Sequence, residues 1–299
     1  MRRIPQQDNA TRGITLVVSA MFIFATQDAI TKLLADKFDV PQILLVRFAV
    51  YALFAIAYSV RKKPFREILK SEVPLFQIGR SLLILVEIGL FIVTIRFLSL
   101  AEIHALLATF PLMVTAIAAV FLREPVGIRR WAAVGAGFIG VLVILRPGVA
   151  ALQPGALLAL LTAFMFAGYN VMTRLVARHD DGETSTAYMA LIGVVVMACI
   201  GPFYWRDPSM SEWFWLFCLS CTATAGHFLL IKALESAPAS TLQPFNYTLL
   251  VFATLIGYLA FGNLPDLWTI VGALIVVSSG LYTIYRERRR ARVFPNHTK

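Results

Sequence analysis

"FIFATQDAITKLLA" (22–35) returns 142 residues later as "FMFAGYNVMTRLVA" (164–177), and that return decides how the chain is read. Phe22 falls on Phe164, Phe24 on Phe166, Ala25 on Ala167, Thr31 on Thr173 and Leu33 on Leu175, with Lys32 on Arg174. Further along, "WAAVGA" (131–136) falls on "WTIVGA" (268–273). The chain therefore reads as two copies of one unit in tandem.

Both copies are greasy. Of the 299 residues 59% are hydrophobic and only 15% charged, and the mean hydropathy of +0.75 lies far above that of a soluble domain. Windows of roughly 20 apolar residues, enough to cross about 30 Å of hydrocarbon as a helix, lie near 13–34, 41–60, 74–95, 101–122, 129–146, 154–175, 186–205, 211–234, 241–261 and 267–285. Only short polar breakers separate them, such as "RKKPFREILKSEVP" (61–74), "REPVGIRR" (123–130) and "RHDDGET" (178–184). The first window has no small-residue cleavage site after it and reads as a spanning helix, not a removable signal.

Five spans follow five spans. An odd number of crossings makes the second unit enter from the opposite face, so the halves are expected to be inverted copies about a pseudo-two-fold axis in the membrane plane. The expected fold is all-α and integral to the membrane, with ten transmembrane helices in two inverted five-helix repeats. The first repeat is placed at 1–147, the second at 148–285, and a basic tail at 286–299. If the N-terminus is cytoplasmic, eighteen Lys and Arg residues fall on that side, against Lys37, Arg96, Arg146 and Arg206 on the other. That bias puts both termini in the cytoplasm, and a bacterial inner membrane is the expected setting.

The net charge of +10 does not call for a nucleic-acid partner. The bases sit between apolar windows, with no amphipathic or aromatic-interleaved surface, and the arginine run near the C-terminus follows a membrane helix, where anionic headgroups are its natural contact. Cys199, Cys218 and Cys221 all fall inside spans, and the Cys218–Cys221 spacing has no second ligand pair, so they read as small packing residues with no metal site. No cofactor is implied.

Charges inside hydrocarbon are costly, by about 2.5–3.5 kcal/mol each on insertion scales, and tend to face a cavity or a partner. Lys32, Arg174 and Lys232 lie near helix ends, where a long stem carries the charge to the headgroups. Arg47 is deeper and reads as a candidate bridge between helices. Arg80 and Glu87 are seven residues apart on one helix face, and Glu87 lies near mid-span. Structural pairing and a gating or proton-coupling role are both open for it. Asp28 and Lys32 stand four apart, so an intrahelical ion pair is one reading of them.

The repeat sharpens the choice. At the 142-residue shift Gln27 maps on Tyr169 and Asp28 on Asn170, and at a shift of 139 His104 maps on Gln243 and Thr115 on Thr254. Ser240, Gln243, Asn246, Tyr247 and Thr254 follow helical steps, a polar stripe that lipid would not tolerate. His227 sits one position from the repeat equivalent of Glu87. A lone histidine in an apolar helix is more often a packing group, but polar groups at matched places in both halves favour a shared central cavity. Two inverted units around such a cavity can open to either side in turn, which is what a transporter needs.

Several stretches together carry a resemblance to a known group. They are Arg47 in "LLVRFAVYAL" (44–53), Arg80 in "GRSLLIL" (79–85), "IRFLSLAEIHALLATFPLMVTAIAAVFLREPV" (95–126) with Pro111 and Glu124, and "KALESAPAS" (232–240). The chain resembles the drug/metabolite transporter superfamily, with two EamA-type domains, and within it is most similar to YddG-type aromatic amino-acid exporters. That resemblance implies export of amino acids or similar metabolites through a cavity between the halves. The departures are Phe24-Ala25 and Phe166-Ala167 where such domains commonly have Trp-Gly, Leu250 at the repeat position of Pro111, and Asn263 at that of Glu124.

The expected function is alternating-access export of small metabolites, amino acids first, by a chain that is not an enzyme and for which a monomer suffices. Its partners are a small-molecule substrate and the bilayer. Cavity contacts are expected from Gln27, His104, Tyr169, Asn170, His227, Gln243, Asn246 and Tyr247. Gating or coupling candidates are Asp28, Arg80, Glu87 and Pro111. An organic-cation exporter using Glu87 or Asp28 is the alternative. An intramembrane enzyme is disfavoured by the lack of His-Glu-x-x-His or Gly-x-Ser-x-Gly.

Overall fold

The computed structural model describes residues 10–61, 64–121, 127–145, 154–237 and 242–293. Long helices follow the apolar windows: α1 (Ala10–Ala35), α2 (Val40–Val60), a single turn α3 (Phe65–Ile68), α4 (Pro74–Thr94), then a pair, α5 (Leu100–Leu107) and α6 (Phe110–Phe121), and α7 (Ile128–Leu145). The second half holds α8 (Pro154–Val176), α9 (Gly182–Ile200), α10 (Met210–Ser236), α11 (Thr248–Phe261) and α12 (Leu267–Val293), with 3-10 turns at Gly201–Tyr204 and Gln243–Tyr247. Among the described residues nine stretches are long and apolar enough to cross a bilayer, and Trp131–Leu145 is a shorter apolar helix.

Local chemistry sets the ends. Ser99 and Ser209 each accept from the backbone N–H three residues on, and Glu102 and Glu212 reach back to the cap N–H, so α5 and α10 open on reciprocal capping boxes. Asp181 accepts from the Thr184 N–H and starts α9 at Gly182, four residues before the expected 186. At the end of α11, Gly262 turns left-handed with φ 71° and closes the helix on the Tyr258 carbonyl. The last helix was expected to stop at 285. It runs on through the basic segment to Val293, as a stretch rich in arginine allows.

The fourth span is broken, not merely bent. Pro111 has no N–H to give the Leu107 carbonyl, and Thr109 turns its hydroxyl onto the Leu106 carbonyl at 2.6 Å, so α5 stops and α6 begins anew at Phe110. At the 139-residue shift Thr109 falls on Thr248, where the 3-10 turn gives way to α11. Leu250 replaces the proline there, yet the interruption recurs.

Packing repeats as the sequence does. Helix α1 lies on α10 and α11, and correspondingly α8 lies on α4 and on the α5–α6 pair. Helix α2 touches α10 as α9 touches α4, while the pairs α2–α9, α5–α11 and α7–α12 each join equivalent helices. In the α7–α12 pair Gly140 and Gly272 face one another so closely that a Cβ on either would meet the other's carbonyl oxygen. Those two helices stand together as a scaffold beside the rest. Cys199 and Cys221 are exposed, not packed in the interior as expected, and Cys218 is half-buried.

Candidate functional site

Asp28 is held from two sides in the C-terminal half of α1. His104 Nε2 lies 2.9 Å from its Oδ2, and the Gln27 amide nitrogen donates to its Oδ1 at 3.3 Å. All three side chains are buried, at 6% exposure or less. Thr31 ties the same turn together by donating to the Gln27 carbonyl at 2.9 Å. The reading of Asp28 and Lys32 as an ion pair does not hold. The Lys32 ammonium instead donates to the Leu98 carbonyl at 2.6 Å and stands 5.6 Å from the centroid of the Phe261 ring, toward the end of its helix.

Two further charges are buried beside this pair. Arg47 on α2 is 8% exposed and Glu87 on α4 is 6% exposed. Rings close around them: Phe24 meets His227 at 5.1 Å, Tyr51 meets His227 at 6.1 Å, and Phe91 meets His104 at 6.1 Å between centroids. Between Arg47, Tyr51, Met189 and His227 lies a cavity of about 10 Å³, room for about one water. Small-molecule sites are commonly about 300–1,000 Å³. The chamber is thus contracted, and a metabolite would have to widen it.

Each end of the chamber is shut by a polar network. At one, Asp180 in the α8–α9 loop accepts from the Ser71 hydroxyl at 2.5 Å, the Glu72 N–H at 2.9 Å and the Gln77 amide at 2.8 Å. Burial works to raise the Asp180 carboxyl, but these hydrogen bonds outweigh it and hold it below the usual carboxylate range. Arg80, 2% exposed, extends the network by donating to the Ser185 carbonyl at 2.6 Å, the Gln77 oxygen at 3.1 Å and the Tyr169 hydroxyl at 3.1 Å. Its guanidinium also lies 5.3 Å from the Tyr169 ring centroid.

At the other end Gln42, fully buried at the start of α2, clasps the backbone of Arg206. Its amide donates to the Arg206 carbonyl at 2.6 Å and its oxygen accepts from the Arg206 N–H at 3.0 Å. The Arg206 side chain donates to the Lys37 carbonyl at 3.0 Å, Lys37 pairs with Glu212 at 3.6 Å, and Arg96 donates to the Phe38 carbonyl at 2.9 Å. Exchanging equivalent helices carries the start of α2 and the loop after α9 onto the start of α9 and the loop after α2. The two closures occupy matching places in the two halves.

Gln27, Asp28, Glu87, His104 and His227 thus come together around the buried charges. Arg80 and Tyr169 belong instead to the Asp180 closure, and Arg80 is occupied there, so it is not the partner of Glu87. Asn170 spends its amide on the Phe166 carbonyl of its own helix, at 2.7 Å. The Tyr247 hydroxyl is set against Gly280 of α12. Asn246 is half-buried on the 3-10 turn, and the side chain of Gln243 lies outside the described residues. Pro111 sits in the first turn of α6. Residue-by-residue reading missed Tyr51, Met189, Gln42, Gln77 and Asp180. Of these only the Gln77–Arg80 step, three residues on one helix face, leaves a trace in the sequence.

Comparison with known proteins agrees with this architecture. Models of the EamA-like transporter family match residues 11–146 and again 153–285. The chain is 27% identical to a riboflavin transporter of Vibrio cholerae over 94% of its length and 95% of the relative's. It is 25% identical to an S-adenosylmethionine uptake transporter of Rickettsia conorii, covering 93% and 94%. A pseudopaline exporter of Pseudomonas aeruginosa is 24% identical, covering 89% and 93%. One crystal structure shares the fold with a TM-score of 0.65 at 16% identity, over 93% of this chain and 98% of that one.

Proposed function

The chain belongs to the EamA-like transporter family, and on that premise we propose that it moves small zwitterionic metabolites bearing a flat ring across a bacterial cytoplasmic membrane by alternating access. One observation carries the substrate class. Arg47, Asp28 and Glu87 bury charges of both signs among the rings of Phe24, Tyr51, Phe91 and His227. A ligand with an ammonium, a carboxylate and a ring can satisfy all of them. Aromatic amino acids, the substrates of the YddG-type exporters the sequence resembles, fit this description, and so does an adenosyl sulfonium amino acid. Among the relatives one is named for uptake and another for export, so export is one of two directions to measure.

The proposed movement uses the whole duplication. Ten spans in two inverted units, at 1–147 and 148–285 with both termini cytoplasmic, would exchange the Asp180 closure for the Gln42 closure as the halves rock. The matched helix partners and matched closures support that arrangement. A monomer contains every part it requires. Uptake of radiolabelled phenylalanine, S-adenosylmethionine, riboflavin and tetraphenylphosphonium into proteoliposomes tests the substrate class, with counterflow measured in both directions. Saturable movement of phenylalanine or S-adenosylmethionine is the expected result. Movement of tetraphenylphosphonium alone would transfer the reading to an organic-cation exporter served by Glu87 and Asp28.

A further inference from the structure

We infer that the α7–α12 pair holds one anionic phospholipid, its phosphate at Arg129 and an acyl chain lying in the groove between the two helices. The site rests on the membrane setting alone, and neither the substrate nor the direction of transport enters it. Shape is the first ground. At Gly140 and Gly272 the helices meet so closely that a carbonyl oxygen stands where a Cβ would go. From there toward the start of α7 and the end of α12 they leave a groove of about 650 Å³, with Ala132, Ala133 and Ala136 on one wall and Leu274 and Ile275 on the other. Ala132, Leu274 and Ser278 are exposed along it, so it opens sideways toward lipid. From Tyr282 to Leu274 it runs about 12 Å along the helix, against about 15 Å for the hydrocarbon of one leaflet.

The chemistry at its mouth is the second. Trp131, Tyr282 and Tyr285 are exposed rings of the kind that sit at headgroup level, and they mark where the bilayer surface crosses the pair. At that level Arg129 and Tyr282 line the groove, with Ser278 one turn deeper, all three exposed. Ser279 lines it too but donates its hydroxyl to the Val276 carbonyl at 2.7 Å. A guanidinium and two hydroxyls present donors to a phosphodiester and no anion to a cationic headgroup. The surrounding charge has the same sign. Arg129 and Arg130 lie in the first turn of α7, and five more arginines fall between 286 and 292 on α12, against the single acid Glu287. Bases this close to the surface favour anionic over neutral lipid.

The duplication supplies the third ground. The 137-residue shift that lays "WAAVGA" on "WTIVGA" carries this groove onto the opposite ends of the same two helices. Arg129 becomes Asp266, Ser278 becomes Val141 and Tyr282 becomes Leu145. Every donor to a phosphate is thus replaced by an acid or an aliphatic side chain, and Asp266 accepts from the Thr269 N–H at 2.9 Å in the first turn of α12. The walls fill as well, with Ile270 at the place of Ala133 and Phe138 at that of Ile275. Trp131 and its equivalent Trp268 are both exposed, so both ends meet a bilayer surface, yet one alone has the polar mouth. The bias of bases toward one face accounts for the arginines. It does not call for two hydroxyls in line with one of them.

Native mass spectrometry of the purified full-length protein tests the site, with phosphatidylglycerol, phosphatidylethanolamine of the same acyl chains, or inorganic phosphate added to the detergent. Wild type should take up one phosphatidylglycerol ahead of any second, about five-fold or more tightly than phosphatidylethanolamine, and inorganic phosphate should not displace it. Arg129→Gln should weaken that first step about five-fold. Ala132→Phe, which fills the groove from an exposed position, should abolish it, and Arg61→Gln, which removes an exposed base elsewhere, should leave it unchanged. Equal binding of the two lipids by wild type overturns the inference, and that reading holds even where a variant does not fold. Displacement by inorganic phosphate overturns it too, as a free-anion site. Arg129→Gln binding as wild type rejects the phosphate contact, and Ala132→Phe binding as wild type rejects the groove. A two-chain mass that Ala132→Phe splits would put a second copy of the chain there in place of lipid. Each of these failures leaves the transport reading standing, and failure of the proteoliposome assay leaves the lipid site standing.

Discussion

Gln42→Ala should open the chamber at the Gln42 end and no other. The side chain makes two hydrogen bonds to one residue, at 2.6 and 3.0 Å, from a position fully closed to solvent. A neutral hydrogen bond contributes about 1 kcal/mol net, so removing both weakens the closure by about 2 kcal/mol. Water reaches the exposed Arg206 backbone once the helices part, which limits any further penalty for leaving its groups unpaired. The remaining ties survive the substitution. Of these the Lys37–Glu212 pair lies at the surface, where water screens it and leaves it weak. At 1.4 kcal/mol per factor of ten, the open population at this end should rise about 30-fold.

A cysteine at Thr94, fully buried at the end of α4, reads this directly in a background with Cys199, Cys218 and Cys221 replaced by serine. Labelling by a membrane-impermeant maleimide should quicken in proportion to the open population. A second reporter at Thr184, buried at the start of α9, should slow, because opening one end draws population from the other. Labelling at 94 that stays within a factor of about three of the parent would refute the assignment of Gln42 as a latch. Acceleration at both positions would instead mean that the variant loosens the fold as a whole.

Four other substitutions or conditions follow from the same contacts. Acidification should release the opposite closure: hydrogen bonds depress the Asp180 carboxyl, so its hold is complete above the ordinary aspartate range near pH 4 and is lost as pH falls through the lowered value. Labelling of a cysteine at Thr184 should therefore rise in acid, and Asp180→Asn should remove that pH dependence. Gly193→Ala places a methyl group in the Phe48 ring, the contact of α9 with α2, and should cost about 1–3 kcal/mol, read as a lowered melting temperature in detergent; an unchanged melting temperature would show that the two helices stand farther apart. Tyr247→Phe removes a buried hydroxyl that makes no hydrogen bond and should leave stability unchanged or raise it by up to about 1 kcal/mol, so a marked loss of stability would place that hydroxyl in a polar contact. Pro111→Ala restores a donor for the Leu107 carbonyl, joining α5 to α6, and should slow counterflow while leaving ligand affinity unchanged; equal rates would make the break incidental.

What could be read from the sequence, and what could not, divides along a physical line. The spans were legible because each is decided locally, by a run of apolar residues long enough for hydrocarbon and ended by proline, glycine or charge. Their boundaries shifted only where a side chain reached the backbone, as Asp181 does at the start of α9. Asp28 and His104 were also legible as buried polar groups, but their contact was not. They are 76 residues apart, and nothing in either segment states that α1 and α5 meet at those two positions. The repeat came nearest, because it shows Asp28 and His104 replaced by amides at matched places, a paired change that makes sense when the two touch. The closures left almost no trace. Gln42 acts on the backbone of Arg206, 164 residues away, and a backbone group has no residue type to recognise. Tyr247 was hard to place for the complementary reason. Its helical step placed it on the polar stripe, but a 3-10 turn advances about 120° per residue where an α-helix advances 100°, and Gly280 leaves on α12 a space that the ring occupies. A periodicity argument holds only while the helix keeps its pitch, and the breaks at Thr109 and Thr248 are two places among the described residues where it does not.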